Sequence, residues 1–231
     1  MPNLTLRLKT IAALVPDGAR VCDIGTDHGY LAIELIKSGK AKKVIAADIN
    51  PLPLKNAEQN IKKANITGIE LRLCDGLSAI EHTEIDTIVV AGMGGEVIAG
   101  ILDRGLAVVS KGDKTIILQP TTSPEYLRKF LCNNGFQIER EIPIYENGKL
   151  YSVMLISYTG LVSDNPDFFY FIGKIPLNEK AGLLYINKQL SRCSKCADSL
   201  KSIPDKHSEY LYYSTVASNI ENHLKNHGFG E

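Results

Sequence analysis

The stretch Val21-Cys22-Asp23-Ile24-Gly25-Thr26-Asp27-His28-Gly29-Tyr30 reads as a short apolar strand carrying an acid, then a glycine turn, then the start of a helical pattern. Glycine lets the backbone take positive φ and approach a ligand closely. A helix that starts just after a strand aims its free N–H groups and positive dipole end at that ligand. The spacing is Asp23-x-Gly25-x-x-x-Gly29, not the G-x-G-x-x-G that cradles a dinucleotide pyrophosphate. A carboxylate beside the turn repels pyrophosphate but can orient a ligand that carries an ammonium and a sulfonium. Asp23, Gly25 and Gly29 therefore point to S-adenosylmethionine as cofactor, although a glycine-rich turn with no ligand has the same local form.

The following segments fall where a βαβ unit puts them. Lys43-Val44-Ile45-Ala46-Ala47-Asp48 is a second strand ending in an acid, where a side chain can accept hydrogen bonds from ribose hydroxyls. Ile49 continues from it into the same candidate cofactor site, and Asn50 and Pro51 begin another helix. A third strand, Ile69 to Cys74, ends in Asp75-Gly76, which can pair with an adenine amino group. Each acid alone is commonly a solvated helix cap. Three acids at the carboxyl ends of three consecutive strands suit a ligand, because open α/β sheets bind along that edge.

A fourth strand, Asp86 to Ala91, is expected to turn through Gly92-Met93-Gly94-Gly95 into a helix from about Glu96. Thr115 to Pro120 makes a fifth strand, after which Ser123 can cap a helix that has Pro124 in its first turn. Runs from Phe136 to Tyr145 and Leu150 to Tyr158 flank Glu146-Asn147-Gly148-Lys149, an Asn-Gly hairpin signal. The expected fold class is α/β: a Rossmann-like, class I methyltransferase sheet of seven mixed strands with an antiparallel hairpin at its end.

From Pro176 the period changes. Leu183, Ile186, Leu190, Cys193, Ala197 and Leu200 recur at steps of three and four, an a/d seam. After Ser202-Ile203-Pro204-Asp205, a breaker and cap, a second seam runs through Tyr210, Tyr213, Ala217, Ile220 and Leu224. The two predict a small C-terminal helical coiled-coil hairpin, packed on the catalytic part or on itself. Residues 159–175, with Phe168-Phe169-Tyr170-Phe171, read as the junction, anchoring one part against the other in preference to stacking bases. The expected division is residues 1–160 for the cofactor-binding domain and 161–231 for the helical domain.

Leu6-Arg7-Leu8-Lys9, the run Asp23 to Leu31, Ala91-Gly92-Met93-Gly94-Gly95 and Leu118-Gln119-Pro120 together resemble the bacterial tRNA (adenine-22-N1)-methyltransferases. The resemblance covers the first 160 residues well and the remainder more loosely. It implies an S-adenosylmethionine-dependent enzyme acting on tRNA, with a helical domain that helps hold the RNA. Gly29 departs from the family pattern, in which alanine is common there. Cofactor-binding candidates are then Asp23, Gly25, Gly29, Asp48, Ile49, Asn50, Asp75, Gly76, Gly92 and Met93. Asp27, His28 and Tyr30 at the glycine turn are the catalytic candidates, and Arg7, Lys9, Gly94, Gly95, Gln119 and Pro120 the substrate-facing ones. The absence of an Asn/Asp-Pro-Pro-aromatic tetrad after the fourth strand argues against exocyclic amino methylation. A methyltransferase of another RNA site or of a small molecule, and a non-catalytic RNA-binding module, remain open from the residues alone.

Composition agrees. The 231 residues, 44% hydrophobic, can bury one sizeable core and a smaller module. No apolar run is long enough to span a bilayer, and the start is a short amphipathic pattern ending at Pro16, so a cytoplasmic monomer without membrane contact is expected. Five cysteines without regular spacing suggest reduced thiols and no metal site, Cys193 being a small apolar residue of the seam and not half of a Cys-x-x-Cys ligand pair with Cys196. Net charge is zero, so RNA binding needs a local excess of cations. Lys37, Lys40, Lys42, Lys43, Lys55, Lys62 and Lys63, against Asp48 and Glu58, are the candidate patch, which Arg7 and Lys9 can extend.

Overall fold

The computed structural model describes residues 4–229. Helix α1 (Leu6–Leu14) precedes β1 (Ala19–Ile24), α2 (Tyr30–Lys37), β2 (Ala41–Asp48), α3 (Pro51–Ala64) and β3 (Ile69–Leu73). Then follow β4 (Thr87–Gly94), α4 (Gly95–Arg104), the short α5 (Leu106–Val109), β5 (Thr115–Thr122) and α6 (Pro124–Asn133). Strands β6 (Phe136–Glu146) and β7 (Lys149–Tyr158) lead into α7 (Asp167–Ile172), α8 (Lys180–Leu200) and α9 (His207–Asn226).

The seven strands form one sheet in the order β3-β2-β1-β4-β5-β7-β6. β1 to β5 run parallel, and β7 and β6 close the sheet antiparallel. Side chains alternate between the faces of each strand. Cys22, Ile24, Ile88, Val90, Ile116 and Leu118 pack beneath α4 and α6, while Val21, Val89 and Ile117 pack on the other face with α1 and α2. Burial on both faces is why these strands read as continuous apolar runs. The hairpin turn places Asn147 at φ 51° and Gly148 at φ 74°, the paired positive values that a two-residue hairpin needs.

The structure corrects several local expectations. β4 does not stop at Ala91 but continues through Met93 and Gly94, pairing irregularly with β5, and β5 runs past Pro120 to Thr122. Ser123 stands at the N-cap of α6 but in the left-handed region, φ 49°, with no side-chain cap bond. Asp205 caps nothing: it lies in a single 3-10 turn, Pro204–Lys206. Apart from these differences, all five cysteines are free. Gly29 is the left-handed N-cap of α2 at φ 67°, and a Cβ there would lie 3.1 Å from Ala57 Cβ, so the departure to glycine meets a backbone and packing need.

Helices α8 and α9, joined by a short link, pack together as a hairpin around Ile186, Cys193, Val216, Ala217, Ile220 and Leu224. Of the expected seam, Leu183, Leu190, Leu200, Tyr210 and Tyr213 are only partly buried, whereas Tyr185, Gln189 and Val216 are buried. The reason is that α8 faces two partners, α9 on one side and β6 and β7 on the other. The junction aromatics divide accordingly, Tyr170 entering the sheet core and Phe171 the helical one. Among the described residues no helix is long and apolar enough to cross a membrane, and no cluster of side chains could hold a metal ion.

Candidate active site

Strand order reverses where β1 lies between β2 and β4, so the chain leaves β1 and β4 in opposite directions and opens a crevice beyond their carboxyl ends. That crevice is a cavity lined by Asp23, Gly25, Thr26, Asp27, His28, Gly29 and Tyr30 from the first turn, by Ala91 and Gly92 from β4, by Gln119 from β5, and by Thr5, Arg7 and Leu8 at the start of α1. The N–H groups of Gly25 and Thr26 donate to Ala47 O, at 2.8 and 3.1 Å, which pins the turn against β2.

Asp23 is only 6% exposed. Burial pushes its carboxyl up to about 6, a hydrogen bond with Thr26 opposes the rise, and the neighbouring Asp48 adds to it. A buried carboxylate near a second one suits a cationic neighbour. Gly92 makes the same point sterically. At φ 81° it is exposed, and a Cβ built on it would meet no protein atom within 4 Å, so open space lies where a ligand can approach the backbone. By contrast, a Cβ on Gly25 would lie 2.1 Å from Met93 Cε, which explains how the first turn and β4 come to touch.

At the mouth, His28 Nε2 lies 3.2 Å from Asp27 Oδ2, and its ring stacks on Tyr30 with centroids 5.2 Å apart. The His28 carbonyl accepts from Asn60 Nδ2 at 3.0 Å, tying the turn to α3. Arg7 enters from α1. Its Nε lies 2.8 Å from Glu146 Oε2, its Nη1 donates to Gln119 Oε1 at 3.2 Å, and its guanidinium sits 4.5 Å over the Tyr151 ring. Burial pushes the Glu146 carboxyl up, but hydrogen bonds from Arg7 and from the Leu6 and Arg7 N–H groups outweigh it and hold the group below its ordinary value.

Other candidates lie outside this cavity. Asp48 ends β2 with Oδ1 accepting the Asn50 N–H at 2.7 Å, and exposed Ile49 follows it, while exposed Leu73 is in register with Asp48 on β3. Asp75 is exposed and pairs with Arg104 at 3.2 Å. Gly76 is packed under Ile101, its virtual Cβ 3.1 Å from Cγ2. Gly94 and Gly95 meet the β5–α6 turn: Cβ atoms would lie 3.0 Å from Thr122 Oγ1 and 2.3 Å from Ser123 O. Packing thus accounts for these three glycines. Lys9 is exposed and outside the cavity, two residues and therefore about half a turn of helix beyond Arg7. Pro120 lines a neighbouring cavity. The basic patch is partly neutralised, with Lys40 paired to Asp17, Lys43 to Glu70 and Lys62 to Glu58. Sequence reasoning passed over Thr26, Ala91, Leu8 and Thr5, although the first three stand inside the quoted motifs.

The doubly wound sheet with an acid-bearing glycine crevice at its switch point defines a methyltransferase domain, and a family model described as a methyltransferase domain matches residues 4–154. The Bacillus subtilis tRNA (adenine(22)-N(1))-methyltransferase is 36% identical over 154 residues, 66% of this chain and 64% of that enzyme, so the match spans just under two thirds of its length. A putative tRNA methyltransferase of Mycoplasma pneumoniae is 32% identical over 66% of this chain and 71% of that protein. The solved structure of a putative tRNA (m1A22) methyltransferase of Streptococcus pneumoniae, in complex with S-adenosyl-L-methionine, superposes with a TM-score of 0.81 at 29% identity, covering 94% of this chain and 99% of that one. The chain belongs to this methyltransferase-domain family and is similar to the bacterial tRNA methyltransferases named above.

Proposed function

We propose that this chain, acting as a monomer in the cytoplasm, transfers a methyl group from S-adenosylmethionine to N1 of adenine 22 in tRNA. The observation that carries the reading is the crevice itself, lined by a buried Asp23 with a raised pKa and an open Gly92, with Asp27, His28 and Arg7 also lining it and a buried Gln119 behind Arg7. The residues fit the cofactor. Asp23 would face its ammonium, the carboxylate of Asp48 its ribose, Ile49 its adenine ring, and the backbone at Gly92 would allow close approach. When bound, the cofactor supplies an electrophilic methyl group on a sulfonium.

Adenine N1 carries an in-plane lone pair, so the chain need not generate a nucleophile. Its task is to hold two reactants in line. N1 lies on the pairing edge, so the base must leave its pair and stack to react. Arg7 and Tyr30 would hold it in the crevice, with Gln119 orienting Arg7 from behind. Methylation leaves the ring cationic until the exocyclic amino group loses a proton, and the His28 imidazole, 3.2 Å from Asp27 Oδ2, would accept that proton. Residues 161–231 act as the RNA-holding part, fixed to the sheet by α7 and α8.

Labelled methyl transfer to unmodified tRNA transcripts, followed by mapping of the product, tests this. The expected product is N1-methyladenine at position 22. Label on a cytosine, on an exocyclic nitrogen, or on a free metabolite with tRNA untouched would overturn it.

A further inference from the structure

Among the described residues that line the crevice, Arg7 alone carries a permanent positive charge, and 25% of its side chain stays accessible. Three groups hold it. Its Nε donates to Glu146 Oε2 at 2.8 Å, its Nη1 to Gln119 Oε1 at 3.2 Å, and its Cζ sits 4.5 Å from the centre of the Tyr151 ring. The other Glu146 oxygen, Oε1, accepts the Leu6 N–H at 2.5 Å, so one carboxylate fixes both the guanidinium and the first turn of α1. Glu146 reaches α1 because it closes the β6–β7 hairpin, in register with Lys149 across the Asn147-Gly148 turn. Gln119 is fixed in its turn, its Nε2 donating to Pro120 O at 2.8 Å.

A guanidinium has five N–H donors. Glu146 and Gln119 take two of them, while the second N–H of Nη1 and both of Nη2 meet no acceptor among the described residues. That edge is a fork suited to two oxygens of one anion.

We propose that Glu146 is a positioning residue for RNA methylation, aiming the unpaired Nη1–Nη2 edge of Arg7 at a backbone phosphate of the nucleotide whose base enters the crevice. The inference rests on the function proposed above and adds the group of the RNA that Arg7 takes. Asp23 and Asp27 disfavour a phosphate deeper in the crevice, and Arg7 is where the charge favours one. An untethered arginine samples many rotamers, and ordering it at the moment of binding weakens the contact. Glu146, Gln119 and Tyr151 order it beforehand.

The cofactor's carboxylate is the other anion within the crevice, and strand register favours the phosphate over it. Asp23 is in line with Val89 and Ile117 across β1, β4 and β5. Gln119, which holds Arg7, stands two residues further toward the carboxyl end of β5, about 7 Å along the strand and about 10 Å across two strand spacings. A carboxylate on the carbon that bears an Asp23-bound ammonium would stay near Asp23. The phosphate of a nucleotide swung in from solvent would stay near the rim.

The test is a double-mutant cycle on the full-length chain, with Arg7→Ala, Glu146→Ala and both together in steady-state tRNA methylation over a salt series. Each single variant should raise KM for tRNA about tenfold, the worth of one charge-assisted hydrogen bond, with a smaller change in kcat. Each should also flatten the slope of log(kcat/KM) against log salt by about 0.7, one phosphate contact to a single strand. The double variant should be no worse than Arg7→Ala, because Glu146 acts through Arg7, and Glu146→Gln should recover part of the loss, because its amide oxygen still accepts. Additive losses, or an unchanged KM and slope, would overturn the proposal. So would weaker binding of S-adenosylhomocysteine to Arg7→Ala by calorimetry with the salt slope intact, which would hand the edge to the cofactor carboxylate. Where Glu146→Ala melts early, Glu146→Gln and Arg7→Ala carry the same comparison. If the wild type methylates no tRNA, the functional reading fails separately, and tRNA binding by fluorescence anisotropy over the same salt series decides. A shallower slope in both Arg7→Ala and Glu146→Gln upholds the phosphate contact; slopes equal to wild type overturn it.

Discussion

Arg128 Nη2 lies 2.8 Å from Glu141 Oε2, with both side chains wholly removed from solvent. The pair joins α6 to β6, and Arg128 Nη1 also donates to the Tyr170 and Phe171 carbonyls at 2.8 and 3.0 Å, so one guanidinium ties the sheet to the last turn of α7. Glu141 Oε1 in turn accepts from the Lys174 N–H at 3.0 Å. The C-terminal helices are thus fastened to the sheet by a charged group whose partners come from both.

Glu141→Ala should therefore lower unfolding free energy by about 3–5 kcal/mol, because it leaves a buried guanidinium without its counter-charge. Denaturant titration checks it. The pair Arg128→Met with Glu141→Leu should recover part of the loss, and a loss under 1 kcal/mol for Glu141→Ala would show that the pair is dispensable.

Asp23 makes two opposite predictions about pH. Its folded pKa, about 6, lies above the ordinary carboxylate value, so the free protein bears the cost of ionising it above pH 6 and is relieved as pH falls toward 4. Asp23→Asn should accordingly be more stable than wild type at pH 8, with the difference shrinking by pH 4. Cofactor binding should run the other way, since a cationic ligand needs the carboxylate: wild-type affinity should fall below pH 6, and binding near pH 6 should release protons. Calorimetry in buffers of different ionisation enthalpy measures both. PH-independent affinity in the wild type would remove Asp23 from the cofactor site.

Asp48→Ala should weaken cofactor binding by about 1–3 kcal/mol through loss of a charged acceptor. Folding should survive, because Asp48 is only half-buried and its carboxylate holds just the Asn50 N–H within its own turn. Isothermal titration at unchanged affinity would clear it of contact with the ribose.

Gly92→Ala separates binding from folding. The added Cβ meets no protein atom, so the folding cost is confined to left-handed strain, about 1–2 kcal/mol. Cofactor affinity should drop further than that, since the methyl group would occupy the ligand's approach. Equal losses in thermal stability and affinity would argue that the residue serves only the turn.

Asp27→Ala and His28→Ala should reduce kcat more than cofactor affinity if the pair supports the reacting base. The reverse pattern would assign them to shaping the crevice, and normal turnover in both would leave them without a part in the reaction.

Much of the architecture was legible because it is written in local signals. Strands buried on both faces appear as unbroken apolar runs such as Ile88-Val89-Val90, and Asn147-Gly148 announces a two-residue hairpin because both residues tolerate positive φ. The glycine turn after β1 was legible for the same reason. Reading stopped at Ala91 for β4 because glycines ordinarily end strands, yet here Gly94 and Gly95 are small to let β4 and α4 press against the β5–α6 turn. The α8 stripe missed Tyr185 and Gln189, and its Leu190 packs against the helical core only partly buried, since a single-stripe pattern presumes one partner and α8 has two.

The sequence by itself determined the alternation of strands and helices, the glycine turn from Asp23 to Tyr30, and the methyltransferase-domain family, because backbone geometry and hydrophobic period are properties of neighbouring residues. Only the tertiary structure decided that Arg7 is held by Glu146, that Asp23 is pushed toward neutrality, and that Glu125, Ser152 and Gln189 share a cavity. Those outcomes depend on which distant groups meet and on how much water folding removes from around them. Neither quantity exists until the chain has closed on itself.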